Sequence, residues 1–287
     1  MKDRKKGILF ILGAAFFFAL MNLFVKLGGD VPTMQKAFFR NAVATLAAVI
    51  VVVRQRGCLQ SIKGNLGGLF GRSIAGLLGI LFNFYAIDHL DISDASLLNK
   101  LSPFFAVIFS VLILKEIASF RDWMYVLAAF GGALLVIKPS FSMETVPALV
   151  GALGGMCAGL AYTFVRKLSN NGVQGPVIVF FFSAFSSLAL LPNLILNFKP
   201  MTWAQTLFLC LAGVSAAGGQ FCITAAYKAA PAKEISVFDY SQVVIAAILG
   251  FIFLEQIPDY LSILGYIVIF IVAILKWRNN LNECHAK

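Results

Sequence analysis

The sequence predicts an all-α membrane protein of ten transmembrane helices, arranged as two inverted five-helix repeats with the N- and C-termini cytoplasmic. Three observations carry this reading. Apolar residues make up 60% of the 287 and charged residues 13%, where soluble domains run at about half and about one quarter. Ten apolar runs are long enough to cross a bilayer, which takes about 20 helical residues. The basic residues gather at alternate ends of these runs. A soluble chain of this length has no interior large enough to hide so much apolar surface, so lipid must solvate much of it.

The runs fall at residues 8–27, 33–53, 66–87, 94–114, 120–137, 147–166, 176–196, 205–227, 232–254 and 260–277. None shows the sustained alternation of a membrane barrel, so each reads as a helix. No small-residue cleavage site follows the first run before Lys26 and Asp30, and it reads as a span rather than a signal peptide.

The net charge of +10 is explained by where the charges sit. With the N-terminus inside, 17 of the 23 basic residues fall at cytoplasmic ends, Arg4, Arg54, Arg72, Arg166 and Lys276 among them. Asp30, Asp88, Asp91, Asp94, Glu144, Glu255 and Asp259 fall on the outer side. That is the positive-inside pattern of a multi-pass inner-membrane protein. The basic balance orients the chain and attracts anionic membrane lipid; it does not point to nucleic acid. The five cysteines, Cys58, Cys157, Cys210, Cys222 and Cys284, include no C-x-x-C pair and read as small buried hydrophobes rather than disulfides or a metal site.

A shift of 140 residues lays the chain on itself. Phe24-Val25-Lys26 lands on Phe164-Val165-Arg166, Ala86 on Ala226, Ser96 on Ser236, Ala106 on Ala246 and Leu114 on Leu254. Helix order and loop positions coincide at the same shift, which divides the chain into residues 1–139 and 140–287. Five crossings are an odd number, so the second unit enters the membrane from the opposite side. Many secondary transporters are built this way, with a midplane site between the halves.

The motifs then resemble those of an EamA-type drug/metabolite transporter. They are Tyr85-Ala86-Ile87, Asp94-Ala95-Ser96, Leu101-Ser102-Pro103-Phe104-Phe105-Ala106 and Glu116 in the first half. In the second they are Ala230-Pro231-Ala232, Val237-Phe238-Asp239-Tyr240-Ser241-Gln242, Gly250-Phe251 and Gln256-Ile257-Pro258-Asp259, and Arg40 and Gly132 also fit. The resemblance covers residues 7–277 and departs at Gln256, where the family usually carries Glu. It implies a central cavity ringed by the first, third, fourth, sixth, eighth and ninth spans. The fifth and tenth would lie at the periphery, where some members form dimers.

Charged groups at bilayer depth cost about 2.5–3.5 kcal/mol each on insertion scales, so they are paired, wet or functional. Lys100 lies inside the fourth span and Asp239 inside the ninth. The shift pairs Asn99 with Asp239 and Lys100 with Tyr240, which puts these segments on opposite walls. Two readings stay open: a substrate site, with Lys100 for an anion and Asp239 for a cation or proton, or a structural ion pair. Pro103 interrupts the backbone ladder near Asn99. Arg40, two turns into the second span, reads as an anion contact at the outer mouth or as a snorkelling anchor. Asn22, Asn83, Tyr85, Tyr162, Gln220, Thr224 and Gln242 supply further polar groups for a substrate cavity. Singly, each reads equally as an interhelical hydrogen bond. Gly151, Gly155 and Gly159 repeat G-x-x-x-G in the sixth span and permit close packing within one protomer.

The sequence has no phosphate-binding G-x-x-x-x-G-K-[S/T] and no hydrolase or metal-binding motif. No ATP engine, enzyme activity or cofactor is expected; proton coupling stays open. The leading expectation is a secondary transporter of a small organic metabolite, an amino acid or similar zwitterion, with export favoured. The alternatives are a vitamin or nucleotide-like aromatic substrate and, in another class, a non-transporting scaffold or lipid-handling protein. Monomer and homodimer are both open.

Overall fold

A computed structural model describes residues 2–55, 58–90, 92–137, 145–255 and 257–285. Asp91, Glu144 and Gln256, named above, lie outside them. The regular structure among the described residues is helical: α1 (Lys2–Leu27), α2 (Thr33–Arg54), a 3-10 turn (Cys58–Ile62), α3 (Leu66–His89), α4 (Ile92–Asn99), α5 (Ser102–Leu114), α6 (Phe120–Ile137), α7 (Thr145–Asn170), α8 (Gly175–Asn197), α9 (Trp203–Ala229), α10 (Ala232–Ile235), a second 3-10 turn (Ser236–Tyr240), α11 (Ser241–Leu254) and α12 (Tyr260–His285). Ten stretches are long and apolar enough to cross a membrane. They are the ten runs of the sequence, each within a few residues. Two of them, the fourth and the ninth, are assembled from pieces.

Local chemistry sets the helix ends. Pro32 stands at the N-cap of α2 and Pro176 in the first turn of α8, where a missing N–H costs nothing. Thr202 and Gln205 close α9 with a capping box, each side chain bonding the other's backbone N–H. Gly172 takes φ +83° after α7. Its N–H bonds Ser169 O and that of Val173 bonds Leu168 O, the double closure that a left-handed residue at a helix end allows.

The helices pack in related pairs: α1 on α9, α3 on α7, α2 on α8 and α6 on α12. Gly79 of α3 lies against Ala158 of α7, and Gly219 of α9, 140 residues later, lies against Phe18 of α1, 140 residues before Ala158. Lys115 and Glu255, also 140 apart, end α5 and α11 in the left-handed region at φ 55° and 54°. Their N–H groups reach Ser110 O and Gly250 O.

Long-range ion pairs tie the end of the bundle that carries both termini. Arg4 grips both carboxylate oxygens of Glu234 at 2.6 Å and donates to Asn280 O at 2.6 Å, joining α1, α10 and α12. Lys276 of α12 pairs with Asp122 of α6 with both side chains buried. Arg166 of α7 meets Glu116 at 3.1 Å and donates to the Tyr227 and Lys228 carbonyls. At the opposite end, among the described residues, the Gln35 side chain bonds Lys199 O and Lys199 N.

The G-x-x-x-G face of α7 packs within the protomer. A Cβ at Gly159 would lie 2.7 Å from Ala106 N and 2.8 Å from Ser102 O, whereas one at Gly131 would meet nothing within 4 Å. Gly159→Leu is therefore expected to destabilise the protein by about 1–3 kcal/mol through overpacking. Gly131→Ala is expected to hold or raise stability by up to about 1 kcal/mol through helix propensity. Thermal unfolding of the two purified variants in one detergent checks both signs.

Candidate functional site

The two interrupted spans meet. α4 stops at Asn99 and α5 restarts at Ser102, with Pro103 in its first turn. Proline has no N–H to give the Asn99 carbonyl, which is why the ladder opens there. In the other half, the 3-10 turn Ser236–Tyr240 separates α10 from α11. The Tyr240 hydroxyl donates to Lys100 O at 3.0 Å, so one break covers a carbonyl of the other. Lys100 Nζ donates to Gln242 Oε1 at 2.7 Å and stands 3.7 Å from Asp239 Oδ2. Lys100, Asp239, Tyr240 and Gln242 thus form one cluster, with the lysine from the first half and the other three from the second. α7 backs this cluster: its Gly155 lies against Leu98 and Leu101, and Gly159 against Ser102 to Ala106.

A second cluster stands on α2, α3, α7, α8 and α9. Arg72, expected at a cytoplasmic end, is only 3% exposed. It sits six residues into α3, about 9 Å along the helix from its start. Its Nη2 donates to Gln220 Oε1 at 3.1 Å, and its guanidinium lies 4.0 Å over the Phe182 ring, within the range of a cation–π contact. Gly76, one turn on, leaves the room: a Cβ there would touch Arg72 Nη1 and lie 2.6 Å from Phe182. Tyr162 stacks on Tyr227 at 5.2 Å and lies within electrostatic reach of Arg40, Arg72 and Asp239. Arg40 is therefore turned into the bundle. Arg40 Nε and Arg72 Nε are buried without a hydrogen-bond partner, as is Thr224 Oγ1. Among the described residues no carboxylate forms an ion pair with either arginine, whereas Lys100, Arg4, Arg166 and Lys276 each have one.

The remaining expected site residues divide. Gln220 and Thr224 face inward from α9, one turn apart and both buried. Asn83 and Asn99 are half-buried, and the Asn83 backbone abuts Gly154. Asn22 and Tyr85 are exposed; Tyr85 stacks on His89 at 4.1 Å, and among the described residues neither bonds to the two clusters. Cys157, Cys210 and Cys222 are free thiols and half-buried rather than buried. A cavity of about 390 Å³ opens between α1, α2, α8 and α9 near the termini, a volume that suits a small molecule. Phe10, Val51, Gln55, Phe221 and Lys228 line it, and Thr224 stands in its wall.

Arg72 is the residue that sequence reasoning missed. A basic residue near the start of an inside-facing span reads as a surface anchor, and its burial depends on Phe182 and Gln220, more than 100 residues away. The one usable signal was its depth in the third run, seven residues in and ahead of the small residues Ser73, Ala75 and Gly76.

Comparison with known proteins places the chain among transporters. The profile of the EamA-like transporter family matches residues 5–138 and 145–277. The pseudopaline exporter CntI of Pseudomonas aeruginosa is 34% identical over 96% of each chain. A riboflavin transporter of Vibrio cholerae is 26% identical, covering 95% of this chain and 94% of its own. A solved crystal structure at 17% identity superposes with a TM-score of 0.82 over 96% of this chain and 98% of that one, which shows a shared fold.

Tyr240→Phe removes the one side-chain hydrogen bond to Lys100 O and nothing else of its shape. Stability is expected to fall by about 1–3 kcal/mol, because a carbonyl in a helix break is left unsatisfied. Denaturant unfolding of the purified variant beside the parent measures it.

Proposed function

The chain belongs to the EamA-like transporter family, and from that premise we propose that it exports an amino acid or a similar small zwitterion by alternating access, without ATP. The family makes it a small-molecule transporter rather than an enzyme. Its ten spans make it a multi-pass membrane protein, of the inner membrane in bacteria. The moving parts in this proposal are residues 1–139 and 140–287, acting as inverted repeats about a pseudo-two-fold axis in the membrane plane. The matched packing of Gly79 with Ala158 and Gly219 with Phe18 supports that division.

The observation that carries the substrate reading is the meeting of Lys100, Asp239 and Gln242 at two facing helix breaks. A lysine and an aspartate 3.7 Å apart, with an amide beside them, present a donor and an acceptor of opposite charge. A carboxylate would take the lysine and an ammonium the aspartate, each replacing part of the internal pair. Irregular backbone at membrane depth is tolerated where it lines such a site. With the termini inside, the ion pairs Arg4–Glu234, Arg166–Glu116 and Lys276–Asp122 fasten the cytoplasmic end beside the cavity that opens there. In this proposal these pairs rearrange as the two halves rock and the site changes sides. The aromatic alternative draws on the riboflavin transporter relative and on the stacked pair Tyr162–Tyr227.

Purified protein in liposomes loaded with a mixed metabolite extract tests the proposal. Mass spectrometry is expected to find a few zwitterions leaving selectively, and the Lys100→Ala, Asp239→Ala double variant is expected to lose this efflux. Selective loss of aromatic vitamins instead would move the assignment to the alternative; no selective loss under any gradient would refute transport of extract metabolites. If efflux is proton-coupled through Asp239, then Asp239→Asn abolishes gradient-driven accumulation yet keeps substrate exchange, read as counterflow of a labelled substrate.

A further inference from the structure

Arg40 and Arg72 bring two positive charges into the bundle that the Lys100–Asp239 pair does not neutralise. They enter from different helices, α2 and α3, and both lie within electrostatic reach of Tyr162. Each has a buried Nε–H with no acceptor. Arg72 is held in place by Phe182 beneath it and Gln220 beside it, and both contacts leave donors of the guanidinium unused. Among the described residues its hydrogen-bond acceptor is a neutral amide. The buried Thr224 hydroxyl, also unpartnered, stands one turn from Gln220 in the wall of the 390 Å³ cavity. Lys228 lies at that cavity too. Thr224 and Gln220 thus connect the cavity wall to Arg72.

We propose that Arg40 and Arg72 form an anion-binding subsite, and that the transported molecule is an amino compound carrying at least two carboxylates. A buried unpaired cation is unfavourable, and it becomes favourable when an anion with matching acceptors arrives. Guanidinium suits carboxylate because its planar fork meets two oxygens at once. Lys100 and Asp239 then hold the part of the molecule that bears its amine and nearest carboxylate. This rests on the zwitterion export reading above and specifies the substrate further.

The extract experiment decides it when the liposomes also receive equal amounts of alanine, glutamate and γ-carboxyglutamate. These present one amine with one, two and three carboxylates. Compounds with two or more carboxylates are expected to dominate what the parent protein exports. Arg72→Gln and Arg40→Gln are each expected to slow that export about tenfold or more, the scale of one lost charge-assisted contact. Arg72→Lys is expected to retain part of it, with alanine-like compounds little changed in all three variants. Selective export of monocarboxylate zwitterions alone would overturn this inference and leave the transporter proposal standing. So would dicarboxylate export that both Gln variants carry at the parent rate. Absence of selective export from the parent would remove the transporter proposal and this inference together. The parent protein's own sorting of the mixture decides even where a variant does not fold.

Discussion

A carbonyl released from a helix inside a membrane has no water to turn to, and the arrangement of this bundle follows from how it answers that constraint. The chain interrupts two spans at depth, at Lys100–Leu101 and at Ser236–Tyr240. It then uses the second break to satisfy the first, with the Tyr240 hydroxyl on Lys100 O. Lipid could not cover either break, so both must face protein. That requirement draws α7 against α4 and α5 closely enough that only glycine fits at 155 and 159. It also places the charged side chains of the breaks, Lys100 and Asp239, beside each other.

The second organising feature is the charged fastening of one end. Three ion pairs and a backbone contact from Lys233 to Ile117 O fasten the end with the termini. The opposite end has the Gln35–Lys199 contact. Arg4–Glu234 and Arg166–Glu116 are only partly buried and can exchange for water, whereas Lys276–Asp122 is buried and holds α6 to α12. The helix pairs can therefore persist as units while the partly exposed fastening opens, as the proposed alternating access requires.

The ten spans were legible because apolar length is a strong signal that tertiary context rarely reverses. The break in the fourth span was legible through Pro103. The break in the ninth was not: it holds no proline, and its 3-10 turn is set against a carbonyl 140 residues away in sequence. Lys100, Asp239, Tyr240 and Gln242 were found because each is a polar group in an apolar run and the repeat shift aligned two of them. Asn22 and Tyr85 satisfied the same criterion and are exposed, since polarity alone does not say which groups a fold brings together. Arg72 illustrates the converse. The rule that places basic residues inside explained it too easily, and only the fold shows a guanidinium packed between Phe182 and Gln220.

The two buried arginines also have an electrical consequence. Fixed charges do no work in the transmembrane field, because they do not cross it; only the cargo's charge does. A molecule with net charge −1 that leaves an inside-negative cell is driven outward by about 2.3 kcal/mol per 100 mV, and a second negative charge doubles that. A carrier that shelters anions beside stationary cations can thus draw on the membrane potential directly, with no coupled ion and no nucleotide.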